Sequence, residues 1–262
     1  MYTRYRLTSL IALVVLDVAC AKAPASVTTN GECADVFKGQ VCTWSRSIGD
    51  SIVDIGALVP IASLENAPAD APFVWPPVAV ATLSMPAGVQ AKTGISHFSM
   101  YWEAMGHPPG TYMTPHFDFH MYMVGKDVVA AVDCKDRSMP NPAPAGYALP
   151  NIPLPPPMAK LMKADTLIGL CVPGMGMHAV TASAMADTTA FGGTMVVGYY
   201  GGKPLFVEPM VSRAKLLERK PFEYAIPAIP GVTGRYPHAF KAEFDSAQKA
   251  YRFVFSNFGA AS

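Results

Sequence analysis

The sequence predicts a mainly β protein: an antiparallel barrel-like or sandwich domain of about eight strands, with one or two short helices and a proline-rich loop. Three observations carry that expectation. The chain of 262 residues holds 25 prolines and 21 glycines. An interior proline costs a helix about 3 kcal/mol, so a long helical bundle is excluded. From residue 78 onward, short aromatic or β-branched runs alternate with turn residues. Finally, 51% of the chain is hydrophobic and only 15% charged, which supplies a real core and excludes a disordered chain. The net charge of +1, with no block of like charge, argues against a nucleic-acid partner.

The elements follow in order. Arg4 and Arg6 precede an apolar run, Leu7–Leu16, and small residues at Ala19, Cys20 and Ala21. This reads as an export signal over residues 1–21, too short to span a bilayer as a mature helix. Cleavage releases a soluble protein near Lys22. Lipidation of Cys20 is the alternative, with Asp17 standing where that motif wants leucine. No other stretch reaches 18 apolar residues, so no transmembrane segment is expected. Residues 22–77 read as an Ala/Pro-rich N-terminal extension with a short helix near Ile48–Leu58. The β-rich domain spans 78–262, with strands at Val78–Leu83, Ile95–Glu103, Pro115–Val124, His178–Ala182, Gly193–Tyr200, Pro204–Val211, His238–Phe244 and Tyr251–Phe258. Gly201-Gly202 marks a hairpin turn, and Lys126–Cys134 and Ser212–Arg219 are the expected helices, Ser212 serving as N-cap. Between Pro140 and Pro157 eight of eighteen residues are proline, which reads as an extended surface loop.

Five cysteines become four once Cys20 is set aside. An even set in an exported chain implies two disulfides, Cys33 with Cys42 and Cys134 with Cys171.

The segment most informative about function is Pro115-His116-Phe117-Asp118-Phe119-His120-Met121-Tyr122. On a strand, side chains alternate between faces. His116, Asp118, His120 and Tyr122 share one face, while Phe117, Phe119 and Met121 share the other and pack. The polar face is then either a solvated edge or the lining of a pocket. Residues two apart sit roughly 6.6 Å apart along a strand and residues four apart about 13 Å. His116 and His120 therefore reach one ion only if the strand bends or bulges. His178 follows a glycine-broken loop and is the expected third ligand. His97 is a lesser candidate, His107 reads as structural and His238 as surface. The hairpin at Gly201-Gly202 pairs Met195 with Glu208 and puts Glu208 on the face of Phe206. There it needs a basic partner or a metal.

The blocks GHPPGTYMTPHFDFHMY (106–122), PGMGMHAV (173–180) and YYGGKPLFVEPMV (199–211) resemble the signature blocks of a family of exported bacterial proteins classed as a domain of unknown function. Its pattern reads GHxPxxxYxxPHFDFHFY, MGxHW and YGxYDGxxxFxEPM. The resemblance covers roughly residues 90–220. This chain has Ala179 where the family tends to tryptophan, and Tyr200-Gly201-Gly202 for Tyr-Asp-Gly. The resemblance implies export and a β-rich fold, names no reaction, and singles out His116, Asp118, His120, His178 and Glu208.

The expected function is binding of a divalent metal, zinc foremost and iron as an alternative, by His116, Asp118, His120, His178 and Glu208. A metal-dependent hydrolase or lyase acting on a small substrate is the second reading, with Glu208 and Asp118 as its catalytic carboxylates, and a non-haem iron oxygenase the third. No nucleophile motif, phosphate loop or dinucleotide fingerprint is present. Fifteen methionines favour an adaptable apolar cavity or interface, so a small-molecule ligand or a second copy of the chain stays open as partner.

Overall fold

A computed structural model describes residues 25–186, 191–232 and 234–259. The export-signal reading lies outside these residues. The described chain forms strands β1 (Ser26–Val36), β2 (Gly39–Ile48), β3 (Ser51–Pro60), β4 (Ala81–Ser84), β5 (His97–Glu103), β6 (His116–Tyr122), β7 (Tyr147–Ala148) and β8 (Ile152–Pro153). They continue with β9 (Thr166–Leu167), β10 (Met177–Thr181), β11 (Gly193–Tyr200), β12 (Lys203–Ser212), β13 (Phe222–Ala225), β14 (Tyr236–Asp245) and β15 (Ala250–Gly259). One sheet has six strands in the order β1-β2-β3-β15-β14-β13. The second has seven, in the order β4-β5-β6-β12-β11-β10-β7, and β8-β9 form a separate pair. Every pairing is antiparallel. The architecture is a sandwich of open sheets rather than a closed barrel.

The sandwich core forms where the two large sheets meet. Phe117, Phe119 and Met121 of β6 are fully buried in one cluster with Ile55 and Val59 of β3, Phe240 of β14, and Phe253 and Phe255 of β15. The Phe119 and Phe253 rings meet edge to face at 4.6 Å across the sheets. Burial of such rings is the main stabilising term, and Phe→Ala in a core costs about 3–5 kcal/mol. The opposite face of the seven-stranded sheet carries a second apolar cluster, including Tyr122, Val196, Phe206 and Met210. Val129, Val132, Leu154, Met162, Leu167 and Leu170 from the intervening segments cover it. The polar face of β6 is thus inside the protein, not on a solvated edge.

All eight strands expected from the sequence are present, and both expected helices form in shortened versions, Lys126–Ala130 and Arg213–Leu217. The Ser212 hydroxyl accepts from the Lys215 N–H at 3.2 Å, the expected N-cap. Gly201 and Gly202 have φ of 57° and 71°, and join Tyr200 to its partner Lys203. Both disulfides form as expected. Cys33 and Cys42 are direct cross-strand partners with Cα atoms 4.1 Å apart, and the Cys134 and Cys171 Cα atoms are 5.9 Å apart.

Residues 26–60 correct the sequence reading. They are three strands of the six-stranded sheet rather than an Ala/Pro-rich extension to it, and Ile48–Leu58 is turn and strand rather than helix. β3 is buried on both faces, so its sequence from Ile52 on is apolar apart from Asp54 and does not alternate, and periodicity cannot separate it from a buried helix. β1 is an edge strand exposed on both faces and shows no alternation. Gly56 tells the strand story locally: a Cβ there would overlap the Phe253 carbonyl of neighbouring β15. The proline-rich segment is largely extended, as expected, but Pro156 and Pro157 open a helix, Pro156–Met162. Proline is tolerated in the first helical turn because those N–H groups have no partner there.

Candidate metal centre

The polar face of β6 meets two neighbouring strands. On one side β5 places Ser99 opposite His120, Tyr101 opposite Asp118 and Glu103 opposite His116. On the other side β12 places Met210 opposite Asp118 and Phe206 opposite Tyr122, so Glu208 falls beside His120. The β11–β12 register corrects the sequence reading by one residue. Val196, not Met195, is opposite Glu208, because an irregularity lies between Gly198 and Tyr199. Glu208 nevertheless shares the face of Phe206, as expected.

The ligand candidates form two groups, not one. His120, His178 and Glu208 make the first, and His107, His116 and Asp118 the second; within each, one ligand atom per residue lies within 4.8 Å of the others. The β5–β6 register runs without a shift from Glu103/His116 to His97/Tyr122. With no bulge, His116 and His120 stay about 13 Å apart along the strand. The expectation that His116, His120 and His178 hold one ion is therefore corrected: His116 and Asp118 belong to one group and His120 to the other. His107, read from sequence as structural, completes the His116 group. His97 joins neither; its ring stacks on Tyr122 at 4.6 Å. His238 packs against the Tyr236 ring at a tilt in the six-stranded sheet.

In the first group the His120 Nε2 is 3.4 Å and the His178 Nε2 3.8 Å from Glu208 Oε2. The His178 Nδ1 donates to the Leu170 carbonyl at 2.9 Å. A carbonyl only accepts, so the Nδ1 carries the proton and the Nε2 lone pair faces Glu208. The local sequence explains this placement. Gly176, at φ 136°, has no room for a Cβ beside the Tyr199 carbonyl and the Leu205 side chain, each 2.9 Å away. That lets the turn before β10 close tightly and seat His178 opposite Gly198. Gly198 itself leaves space for the Phe206 ring, which a Cβ would overlap. Phe206 packs on His120 at 4.4 Å and on His178 at 5.2 Å, fixing both imidazoles.

The second group repeats the pattern. The His116 Nε2 is 3.3 Å from Asp118 Oδ1, and the His107 Nε2 is 3.8 Å from Asp118 Oδ2. The His116 Nδ1 donates to the Thr114 carbonyl at 2.6 Å and the His107 Nδ1 to the Pro108 carbonyl at 2.8 Å. Gly106, at φ 70°, leads into His107; a side chain there would overlap the Tyr112 carbonyl.

Burial dominates the electrostatics. His116, His120 and Glu208 are at most 1% exposed and Asp118 is 3% exposed. Among the described residues no Lys or Arg lies within ion-pair distance of Asp118 or Glu208; only histidine nitrogens come that close. Burial, then the charges of Asp118 and Glu103, raises Glu208 well above the usual carboxylate range. Burial, then Glu103, does the same to Asp118. Burial pushes Glu103 up to about 7. It holds His116 and His120 well below 6.5, and brings His178 to about 4. The imidazoles are therefore neutral, the state that ligates metal. The Nε2 atoms of His116 and His120, Asp118 Oδ1 and Glu208 Oε2 make no hydrogen bond. Buried polar atoms are rarely left so.

A cavity of about 20 Å³ lies against both groups, lined by His107, Asp118 and His178 with Trp75, Pro108, Leu170 and Met175. That is room for about one water molecule. Sequence reasoning missed three contributors. Glu103 hid at the end of a strand read for its aromatics. His107 was masked by Pro-Pro. Trp75 lay in a segment read as an extension. The glycine before His107 was the signal for it, since Gly176 marks His178 in the same way.

No family model, curated protein or solved structure matches the chain.

Proposed function

We propose that the protein is an exported metal-binding protein that holds a zinc ion at His120, His178 and Glu208. One observation carries this reading. Three ligand atoms converge in the interior, and two of them, the His120 Nε2 and Glu208 Oε2, have no hydrogen-bond partner. Ligands about 2.0–2.1 Å from a tetrahedral ion stand roughly 3.4 Å apart, and Glu208 Oε2 is 3.4 and 3.8 Å from the two Nε2 atoms. Two neutral imidazoles and a carboxylate suit zinc, which needs no redox partner. The backbone carbonyl on the His178 Nδ1 is the outer support such ligands receive. Two disulfides fit an oxidising compartment, and no helix among the described residues is long and apolar enough to cross a membrane. The resemblance to exported proteins of unknown function points to the same compartment and to the same residues.

The test is elemental analysis of protein purified from the native envelope, with mass spectrometry of its N-terminus. The expected result is stoichiometric zinc on a chain beginning near residue 22 or at a lipidated Cys20. Wild-type protein that takes up no zinc after reconstitution, or a folded cytosolic chain retaining Met1, refutes the respective half of the reading.

A further inference from the structure

We infer that His107, His116 and Asp118 form a second divalent-metal site, so that the chamber above β6 holds two ions. This inference rests on the zinc reading of the His120 group and extends it to residues that reading does not use.

The first argument is that the two groups share a donor set of two imidazoles and one carboxylate. Each has two imidazole Nε2 atoms on one carboxylate, at 3.3 and 3.8 Å in one group and 3.4 and 3.8 Å in the other. In the second group both imidazoles donate their Nδ1 protons to backbone carbonyls, Thr114 and Pro108. Both Nε2 lone pairs are thereby aimed at Asp118. A histidine kept only for packing has no need of a fixed tautomer; two pointing the same way do what ligands require.

The second argument is charge. Asp118 and Glu103 sit at the His116 end of the chamber, Glu103 directly opposite His116 and two pairs along from Asp118 on the same face. Both are buried, at 3% and 7% exposure, and neither has a Lys or Arg partner among the described residues. An ion at the Glu208 group compensates Glu208 and leaves these two carboxylates together in the interior. A dication at His107, His116 and Asp118 brings positive charge directly to this carboxylate pair. Buried carboxylates are paired, ligated or protonated, and a dication here would hold this pair in the ionised form.

The third argument is placement. The cavity is lined by His107 and Asp118 from one group and His178 from the other. The two sites therefore open on one water-sized space, and Asp118 and His120 are same-face neighbours roughly 6.6 Å apart along the strand. Zinc or cobalt is the expected class of ion, because two imidazoles and a carboxylate are borderline-soft donors.

The test uses the full mature chain with both disulfides intact, stripped with chelator and titrated with Zn²⁺, and separately with Co²⁺. Bound metal is counted by elemental analysis, and the affinities come from calorimetry. Wild type is expected to bind two ions per chain. His107→Ala and the isosteric Asp118→Asn are each expected to bind one, as is His178→Ala. His107→Ala combined with His178→Ala is expected to bind none. Melting temperatures of the metal-free forms confirm folding, and Asp118→Asn keeps the test open should His107→Ala fail to fold. One ion in wild type, retained by His107→Ala and Asp118→Asn but lost in His178→Ala, overturns the second site and leaves the zinc reading intact. One ion lost in His107→Ala but kept in His178→Ala would leave only the second site standing. No ion in wild type sinks both.

Discussion

Glu208→Gln separates a metal ligand from a structural carboxylate. The substitution keeps shape and volume and removes one negative charge from a position that is 1% exposed. Without metal, ionising Glu208 is costly, since among the described residues no Lys or Arg lies within ion-pair distance and burial favours its protonated form. The metal-free variant is therefore expected to be within about 1 kcal/mol of wild type, or more stable at pH 8. With zinc the comparison reverses. At a free zinc concentration of 100 times Kd, wild type gains about 2.7 kcal/mol. For a chain of this size that raises the melting temperature by about 5–11 °C. Loss of an outer support of a metal ligand weakens binding by about 10–100-fold, and loss of a ligand itself by at least the upper figure. At the same free zinc the variant then gains about 0.4 kcal/mol or less, an increase of about 2 °C at most. The assay is thermal unfolding of both proteins with and without zinc, with metal content measured on the same samples. A variant that loses several kcal/mol without metal yet keeps the wild-type zinc shift would refute the reasoning. Glu208 would then be a structural partner of His120 and nothing more.

Three further outcomes follow from the geometry. Replacing Cys134 and Cys171 together by alanine frees the turn whose Leu170 carbonyl holds the His178 Nδ1. Zinc affinity is expected to fall about 10–100-fold by titration, and an unchanged affinity would disconnect the disulfide from the site. Gly198→Ala forces the Phe206 ring off His120 and His178. The expected cost is about 1–3 kcal/mol in chemical denaturation together with weaker zinc binding; a stable variant with full affinity contradicts the packing argument. The metal-free protein should lose stability between pH 6.5 and 8. Glu103, Asp118 and Glu208 have raised folded-state pKa values, so their contribution is full below the ordinary carboxylate range and is lost as pH rises through about 7 and beyond. The lowered histidines act oppositely, but only below 6.5, above which they are neutral in both states. Zinc compensates the carboxylates, so the zinc-induced rise in melting temperature should widen from pH 6.5 to 8, and a narrowing rise would refute the assignment.

The sequence made the second half of the fold and most of the site readable, for identifiable reasons. β6 alternates cleanly because one face packs on Phe253 and the other lines a chamber. Its two faces thus carry different chemistry. Parity of the cysteines gave both disulfides. The three N-terminal strands were hidden because β1 is exposed on both faces and β3 buried on both, so neither alternates. The partition of the ligands into two groups was not legible either. It depends on His107 arriving from a loop and on Glu208 being carried to His120 by a register that shifts after Gly198. Strand spacing had flagged the difficulty: 13 Å between His116 and His120 is too far for one ion, and the protein resolves it with a second set of partners rather than a bulge.

The pairing of β3 with β15 has a consequence for how the chain matures. Ser256 lies opposite Asp54 and Ala250 opposite Pro60, so the join in the middle of the six-stranded sheet links segments roughly 200 residues apart. A chain that emerges N-terminus first, from a ribosome or a translocation pore, makes β1, β2 and β3 early. It must then hold the apolar edge of β3, with Ile52, Ile55 and Val59, unpaired until nearly the whole polypeptide is out. Such an edge is a template for wrong pairing. The nascent protein is therefore expected to need a holding partner during synthesis, and to aggregate when release of its last strand is stalled.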